Sequence, residues 1–405
     1  MNELLVAGDP DVASPFPPPV PHVLTRLAHG PRVIGELRGC EDGPLLICVG
    51  GLHGNEPAGV LALDRLLRRL ATAPRAGLRG RMVAMVGNRR ALAVGRRFLH
   101  HDLNRFWNEE RAARLRQRAE PLEAEADELR DLDREIERLL KEAAGRRVYF
   151  LDLHTTSGHG PAFANLDDTL PNRRFALEFP VPLVVGIEEE LAGTLANFLC
   201  GRGVTTVGFE SGQHQEREAV DRAEAAVWIA LEASGVLARG SRPEVAAARR
   251  TLTENRGALP HVVEVLYRHA IRPGDQFKML PGFRNFQPIK AGQPLARDHR
   301  GLIVAHHDGC LLMPLYQEQG EDGFFVARRV RPMWLKLSEA LRRLKLERYL
   351  HVLPGVRPNP ALAESFTIDR RWARWYALEI FHLVGFRRYD EVGRYLVMAR
   401  RTHDR

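Results

Sequence analysis

The run Pro44-Leu45-Leu46-Ile47-Cys48-Val49 passes without a polar side chain into Gly50-Gly51-Leu52-His53-Gly54-Asn55-Glu56. A short apolar run closed by glycine reads as a buried strand that releases the backbone into a loop. His53 and Glu56 lie on that loop, just ahead of a helix expected over 57–70 with its leucines on one face. A nitrogen donor and a carboxylate three residues apart can both turn toward one point, as zinc requires of its ligands. Taken alone, the two also fit a hydrogen-bonded loop histidine and an acid that suits the helix dipole. A third ligand decides between these readings.

Outward from that stretch, short apolar runs alternate with helical patterns. Strands are expected over 45–49, 82–86, 148–153, 182–187 and 205–209, with helices over 57–70, 188–199 and 216–237. This alternation implies an α/β fold, a mostly parallel mixed sheet flanked by helices, in a domain covering 31–250. Ligands of such sheets gather beyond the carboxyl ends of the strands, where His53 falls. Residues 109–147 break the rhythm with Glu, Arg, Ala and Leu, and Leu115, Leu122, Leu129, Leu132 and Ile136 form a narrow stripe. One or two long charged helices with a solvated outer face are expected there, and the same face offers a contact for a homo-oligomer. A Pro-rich leader occupies 1–30, and short strand-like runs among glycines and prolines suggest a small β domain over 251–331. A helical, aromatic C-terminal extension is expected over 332–405, its aromatics packing inward.

The chain has 405 residues, a hydrophobic share of 44%, a charged share of 27% and a formal net charge of +8. These proportions exclude collagen-like and broadly disordered chains. No zinc-knuckle, RRM-like or helix-turn-helix signature accompanies the basic residues, which argues against nucleic acid. Cys40, Cys48, Cys200 and Cys310 are scattered and form no Cys-x-x-Cys, as expected of thiols in a reducing compartment. With no apolar run near the roughly twenty residues of a membrane span and no signal-peptide pattern, a cytoplasmic protein without membrane contact is expected.

The third ligand comes from Tyr149-Phe150-Leu151-Asp152-Leu153-His154, an apolar strand that delivers a histidine before Thr155-Thr156-Ser157-Gly158. Two histidines and one carboxylate make the three-ligand set of open catalytic zinc sites. Asp152 shares a strand face with His154 and suits an orienting role behind it. A third stretch, Arg97-Phe98-Leu99-His100-His101-Asp102-Leu103-Asn104-Arg105, brings arginines and an amide able to clamp a carboxylate. His100 and His101 are neighbours facing opposite ways in an extended segment, which makes them poor ligands of one ion. The fourth, Val207-Gly208-Phe209-Glu210-Ser211-Gly212, again ends an apolar strand on an ionisable residue. Glu210 is placed to take a proton from an attacking water and pass it to a leaving nitrogen.

With these four stretches in hand, the sequence resembles the succinylglutamate desuccinylase and aspartoacylase family, a branch of the zinc carboxypeptidase-like enzymes. The resemblance covers roughly 40–330. It implies zinc held by His53, Glu56 and His154, and Asn104 with Arg105 on the substrate carboxylate. It further implies Arg97 polarising the scissile carbonyl and Glu210 as general base and acid. The implied substrate is a small N-acyl amino acid. Asn88-Arg89 and Ser211-Gly212 depart from the family's usual pattern and leave substrate identity open. Two other readings stand beside this one: a metallocarboxypeptidase acting on peptides or cell-wall fragments, and a non-enzymatic, metal-stabilised binding module.

Overall fold

A computed structural model of the chain describes residues 21–39, 41–71, 77–117, 123–362, 364–372, 377–400 and 404. Cys40, Leu122, most of the Pro-rich leader, Trp375 and Tyr376 lie outside the described residues. In chain order the first elements are helix α1 (Pro21–His29) and strands β1 (Val33–Arg38) and β2 (Glu41–Gly50). Helix α2 (Ala58–Ala71), β3 (Arg79–Val86) and the short α3 (Arg89–Val94) follow. Helix α1 falls within the expected leader, but Leu27 and Ala28 pack with Val60, Val86 and Leu92 and fold that end onto the domain.

The break in rhythm is α4 (Glu109–Arg116) and α5 (Ala124–Glu142), before β4 (Val148–Thr156) and β5 (Phe163–Asn165). Helix α6 (Leu170–Ala176), β6 (Leu183–Val185), α7 (Leu195–Cys200), β7 (Thr205–Gln213), α8 (Glu218–Ser234) and α9 (Pro243–Arg256) complete the first 256 residues. The helix expected over 188–199 is instead a 3-10 turn, Ile187–Glu189, then the short α7, because Gly193 takes a positive φ between them.

Strand β2 pairs in parallel with both β3 and β4, and β4 in parallel with β7. Its residues alternate between two buried faces, which explains the uninterrupted apolar run. Leu46 and Cys48 join α2 and α8 on one side, while Leu45, Ile47 and Val49 join α4, α5 and α7 on the other. Each large apolar side chain fully buried this way contributes roughly 1.5–3 kcal/mol. Helix α5 buries Leu129, Leu132, Ile136 and Leu139 as its stripe predicts. Its first turns do not present a solvated face, however: Glu125, Asp127, Glu128 and Asp133 are buried too.

The main sheet has eleven strands in the order β1-β3-β2-β4-β7-β5-β6-β8-β14-β13-β10. Its later members are β8 (Val262–Ala270), β10 (Pro288–Ile289), β13 (Gly309–Leu312) and β14 (Asp322–Arg329), with β9 (Lys278–Met279), β11 (Pro294–Asp298) and β12 (Gly301–Val304) in a separate sheet. The stretch 251–331 is β-rich as expected, but it is joined to the preceding domain through one sheet. Val262 and Val263 of β8 pair in parallel with β6, which would otherwise leave an open apolar edge.

The extension after 331 is not mainly helical. Alongside α10 (Pro332–Arg343) and α11 (Ala377–Leu383) it holds an antiparallel sheet of β15 (Val356–Pro358), β16 (Ser365–Asp369), β18 (Tyr395–Arg400) and β17 (Phe386–Val392), in that order. Phe381 and Phe386 are buried with Ile368 and Met398, as inward-packing aromatics should be. Trp334 and Trp372 are exposed. The module docks through Arg342 on Asp168 and through Arg388 on Glu190, and Arg342 also pairs with Asp404 of the module itself. Among the described residues no helix is long and apolar enough to cross a membrane.

Candidate active site

Strands β2, β4 and β7 are parallel neighbours, so their carboxyl ends open on one edge. Beyond β2, Gly51 turns the chain at φ +71°, and Gly54 passes so close to α3 that a Cβ would lie 2.1 Å from the carbonyl carbon of Ala91. Glycine at these positions lets His53 and Glu56 fold back over the sheet edge.

Glu56 sits between two imidazoles. Its Oε1 is 2.8 Å from Nδ1 of His53, and its Oε2 is 2.9 Å from Nδ1 of His154. The three ligand atoms lie within 4.8 Å of one another, and all three residues are buried. Each ring's far nitrogen meets another carboxylate: Nε2 of His53 is 3.2 Å from Asp102 Oδ1, and Nε2 of His154 is 2.9 Å from Asp152 Oδ2. A histidine that donates Nε2–H to a carboxylate presents Nδ1 as a donor to a metal. Two imidazole nitrogens and one carboxylate, each oriented from behind, fit a divalent cation of the zinc type. Without such an ion, burial pushes the Glu56 carboxyl up, but His53 and His154 outweigh it and hold Glu56 well below the usual range. His154 is desolvated as well, yet Asp152 and Glu56 hold its pKa well above the usual imidazole value.

Glu210 lies beside His154 in the strand register and lines the same cavity. Its carboxyl is buried, and Oε2 has no hydrogen-bond partner. Burial pushes its pKa up to about 8, with His154 pulling downward and Glu56 and Asp152 pushing further up.

The loop after α3 enters from the side. Arg97 donates through Nε (3.0 Å) and Nη2 (2.9 Å) to Asp102 Oδ2, and its Nη1 is 3.5 Å from Glu56 Oε1. Asp102 thus ties Arg97 to His53, and it also caps the turn Leu103–Arg105 by accepting the amide of Asn104. Asn104 reaches the cavity, but its Oδ1 accepts the amide of Leu195 at 2.9 Å, and its side-chain nitrogen lies 3.4 Å from Nε2 of His154. Arg105 donates to Asp322 Oδ2 at 2.6 Å. His100 and His101 stay outside the metal triad, as their alternation implies.

Several residues that build this site were not singled out from sequence. Glu125 on α5 accepts the amides of Leu99 and His100 at 2.7 and 2.9 Å and pins the Arg97 loop. Its charged, periodic context resembles a surface helix. Asp102 was within the quoted stretch, and only its place before Leu-Asn-Arg hinted at a role. Gln317 accepts from Asn55 at 2.7 Å and meets Nε2 of the half-buried His214 at 2.9 Å. It belongs to the strap between β13 and β14, which lines the cavity through Met313, Leu315, Gly320 and Glu321, and Asp322 follows as the first residue of β14. No local pattern marks that strap.

Comparison with known proteins places the same region in a known group. Residues 42–227 match the model of the succinylglutamate desuccinylase/aspartoacylase catalytic domain. A succinylglutamate desuccinylase of Photorhabdus laumondii is 31% identical over 185 residues, 43% of this chain and 54% of that protein. The match therefore spans about half the length of that relative. Among solved structures, a succinylglutamate desuccinylase/aspartoacylase from Rhodobacter sphaeroides superposes with a TM-score of 0.53 at 18% identity, over 74% of this chain and 88% of the other. A succinylglutamate desuccinylase from Vibrio cholerae gives 0.52 at 15% identity, over 77% and 94%. At these identities the structural likeness speaks for the fold.

Proposed function

We propose, from the match of residues 42–227 to the succinylglutamate desuccinylase/aspartoacylase catalytic domain, that the chain is a zinc-dependent hydrolase of the amide bond in an N-acyl amino acid. His53, Glu56 and His154 would hold the metal. Zinc supplies a Lewis acid that polarises the amide carbonyl and lowers the pKa of a water. Asp102 and Asp152 keep the two imidazoles in the tautomer with Nδ1 free to ligate.

Glu210 accepts the proton of the attacking water and returns it to the amide nitrogen as the carbon–nitrogen bond breaks. The products are a carboxylate and an amine. Arg97, its Nε and Nη2 fixed by Asp102, keeps Nη1 for the oxyanion that develops on the carbonyl oxygen. Arg105 takes the substrate carboxylate. The Asn104 amide nitrogen borders that place, while its oxygen holds the backbone of Leu195.

The observation that carries this reading is Glu210: a buried carboxyl with an unpaired oxygen in the cavity that also holds the two Nδ1 atoms and Glu56. The test is a hydrolysis screen of N-acyl amino acids with and without chelator, beside metal analysis of wild type and Glu210→Gln. We expect wild-type activity that chelator abolishes, and a Glu210→Gln protein that keeps its metal but loses about 10²–10⁴-fold in kcat. Wild-type turnover by Glu210→Gln would sink the assignment.

A further inference from the structure

The cavity is short of positive charge for the substrate that names the family. Arg97 and Arg105 are the arginines lining it among the described residues, and no described lysine does so. Both are already ion-paired. Arg97 is shared between Asp102 and Glu56, and its Nη1 is the group proposed for the oxyanion, which leaves nothing for a second carboxylate. Arg105 is held by Asp322, whose other oxygen takes Nε of Arg268 at 2.5 Å. Arg268 in turn donates to the carbonyl of Glu190 at 2.8 Å. Two guanidinium groups around one carboxylate leave a net single positive charge in the Arg105-Asp322-Arg268 cluster. Glu321 and Glu210 add carboxyl groups to the lining.

Resting on the deacylase reading above, we propose that Asp322 sets the substrate class. The site takes N-acyl amino acids with one carboxylate and a neutral acyl group, and it discriminates against acyl amino acids with two or three carboxylates. One substrate carboxylate matches the surplus charge of the cluster. A second must be desolvated in a cavity with no uncommitted arginine or lysine among the described residues, beside acids already there, and the proposed metal faces the scissile amide; an uncompensated buried charge is expensive. Asp322 opens β14 and lies 217 residues from Arg105, so this neutralisation is independent of the motifs that would hold the metal.

The test compares N-acetylglutamine, N-succinylglutamine and N-succinylglutamate, which carry one, two and three carboxylates. Their kcat/KM values and their equilibrium binding by calorimetry are measured on the metal-loaded wild type, Asp322→Asn and Arg268→Gln. In the wild type we expect at least a tenfold loss with each added carboxylate, in both readouts. Asp322→Asn, which frees a second positive charge, is expected to narrow the gap between the first two compounds about tenfold. Arg268→Gln, which removes the surplus, is expected to raise KM for N-acetylglutamine with kcat little changed. Wild-type preference for N-succinylglutamate overturns the proposal, as does an unchanged gap in an Asp322→Asn protein that melts within a few degrees of wild type. If Asp322→Asn fails to fold, an Arg268→Gln protein that binds N-acetylglutamine as tightly as wild type overturns it instead. Binding ranks the compounds even if none is hydrolysed, so absence of turnover counts against the deacylase reading and the order of affinities against this one.

Discussion

The two sides of the cavity are built differently. On the metal side, His53, Glu56, Asp152, His154 and Glu210 leave the ends of three adjacent parallel strands, and their spacing is set by sheet register. On the other side, Arg105 is held by Asp322 at the start of β14, a distant part of the chain, and Asp322 also pairs with Arg268 on the neighbouring β8. The first side is drawn from motifs at adjacent strand ends, and the second is closed by ion pairs between segments far apart in the chain. The proposed division of labour gives the chemistry to the first side and substrate choice to the second.

Asp102 is the joint between the two sides, and after the Glu210→Gln test replacing it should have the largest effect. Asp102→Asn leaves shape but weakens the hold on both Arg97 and Nε2 of His53. Loss of such an orienting partner typically costs 10–100-fold in metal affinity or activity, and we expect a fall of that size in zinc affinity by competition with a chromogenic chelator. Unchanged affinity would show that the metal side stands without the Arg97 loop.

A middle-sized effect concerns the desolvated base. Glu210 has its folded pKa raised from 4.5 to about 8 by burial, so the metal-free folded protein keeps a proton that the unfolded chain releases. Stability from this group is therefore present at low pH and lost as pH rises from about 4.5 to 8. Metal-free Glu210→Gln should match metal-free wild type near pH 4.5 and exceed it by up to a few kcal/mol at pH 8. Urea unfolding of both proteins at the two pH values checks this, and a gap that does not widen with pH means the carboxyl is not buried as described.

The smallest effect is expected at the docking surface of the C-terminal module. Arg388 and Glu190 form an ion pair that is 41% and 27% exposed, and such pairs contribute about 0–1 kcal/mol. Arg388→Gln should leave kcat/KM unchanged and lower the melting temperature by no more than a few degrees. A large loss of activity would mean that the module acts on the cavity through the neighbouring turn at Ile187–Glu189.

Much of the metal side was legible because its signals are local. Apolar runs buried on two faces, glycines after them and ionisable residues at their ends mark His53, Glu56, His154 and Glu210 without any knowledge of pairing. Glu125 was illegible for a physical reason: a charged helix reads as solvated unless the backbone amides it accepts are known to lie against it. Cys48 and Cys200, both in apolar stretches, are buried free thiols, and burial pushes the Cys200 thiol up to about 12. The extension over 332–405 shows the same divide. Phe381 and Phe386 pack inward as expected while Trp334 and Trp372 stay exposed, and pairing among four strands, which composition does not encode, made much of it a sheet.

The sequence by itself determined the α/β class, the strand ends that carry the candidate ligands and the presence of an acid beside them, because each follows from side chains a few residues apart. Only the tertiary structure decided that 262–329 continues the main sheet, that Asp102 and Asp152 stand behind the imidazoles, and that Asp322 closes on Arg105. Those outcomes depend on contacts between segments far apart in the chain, where no periodicity or spacing records which groups will meet.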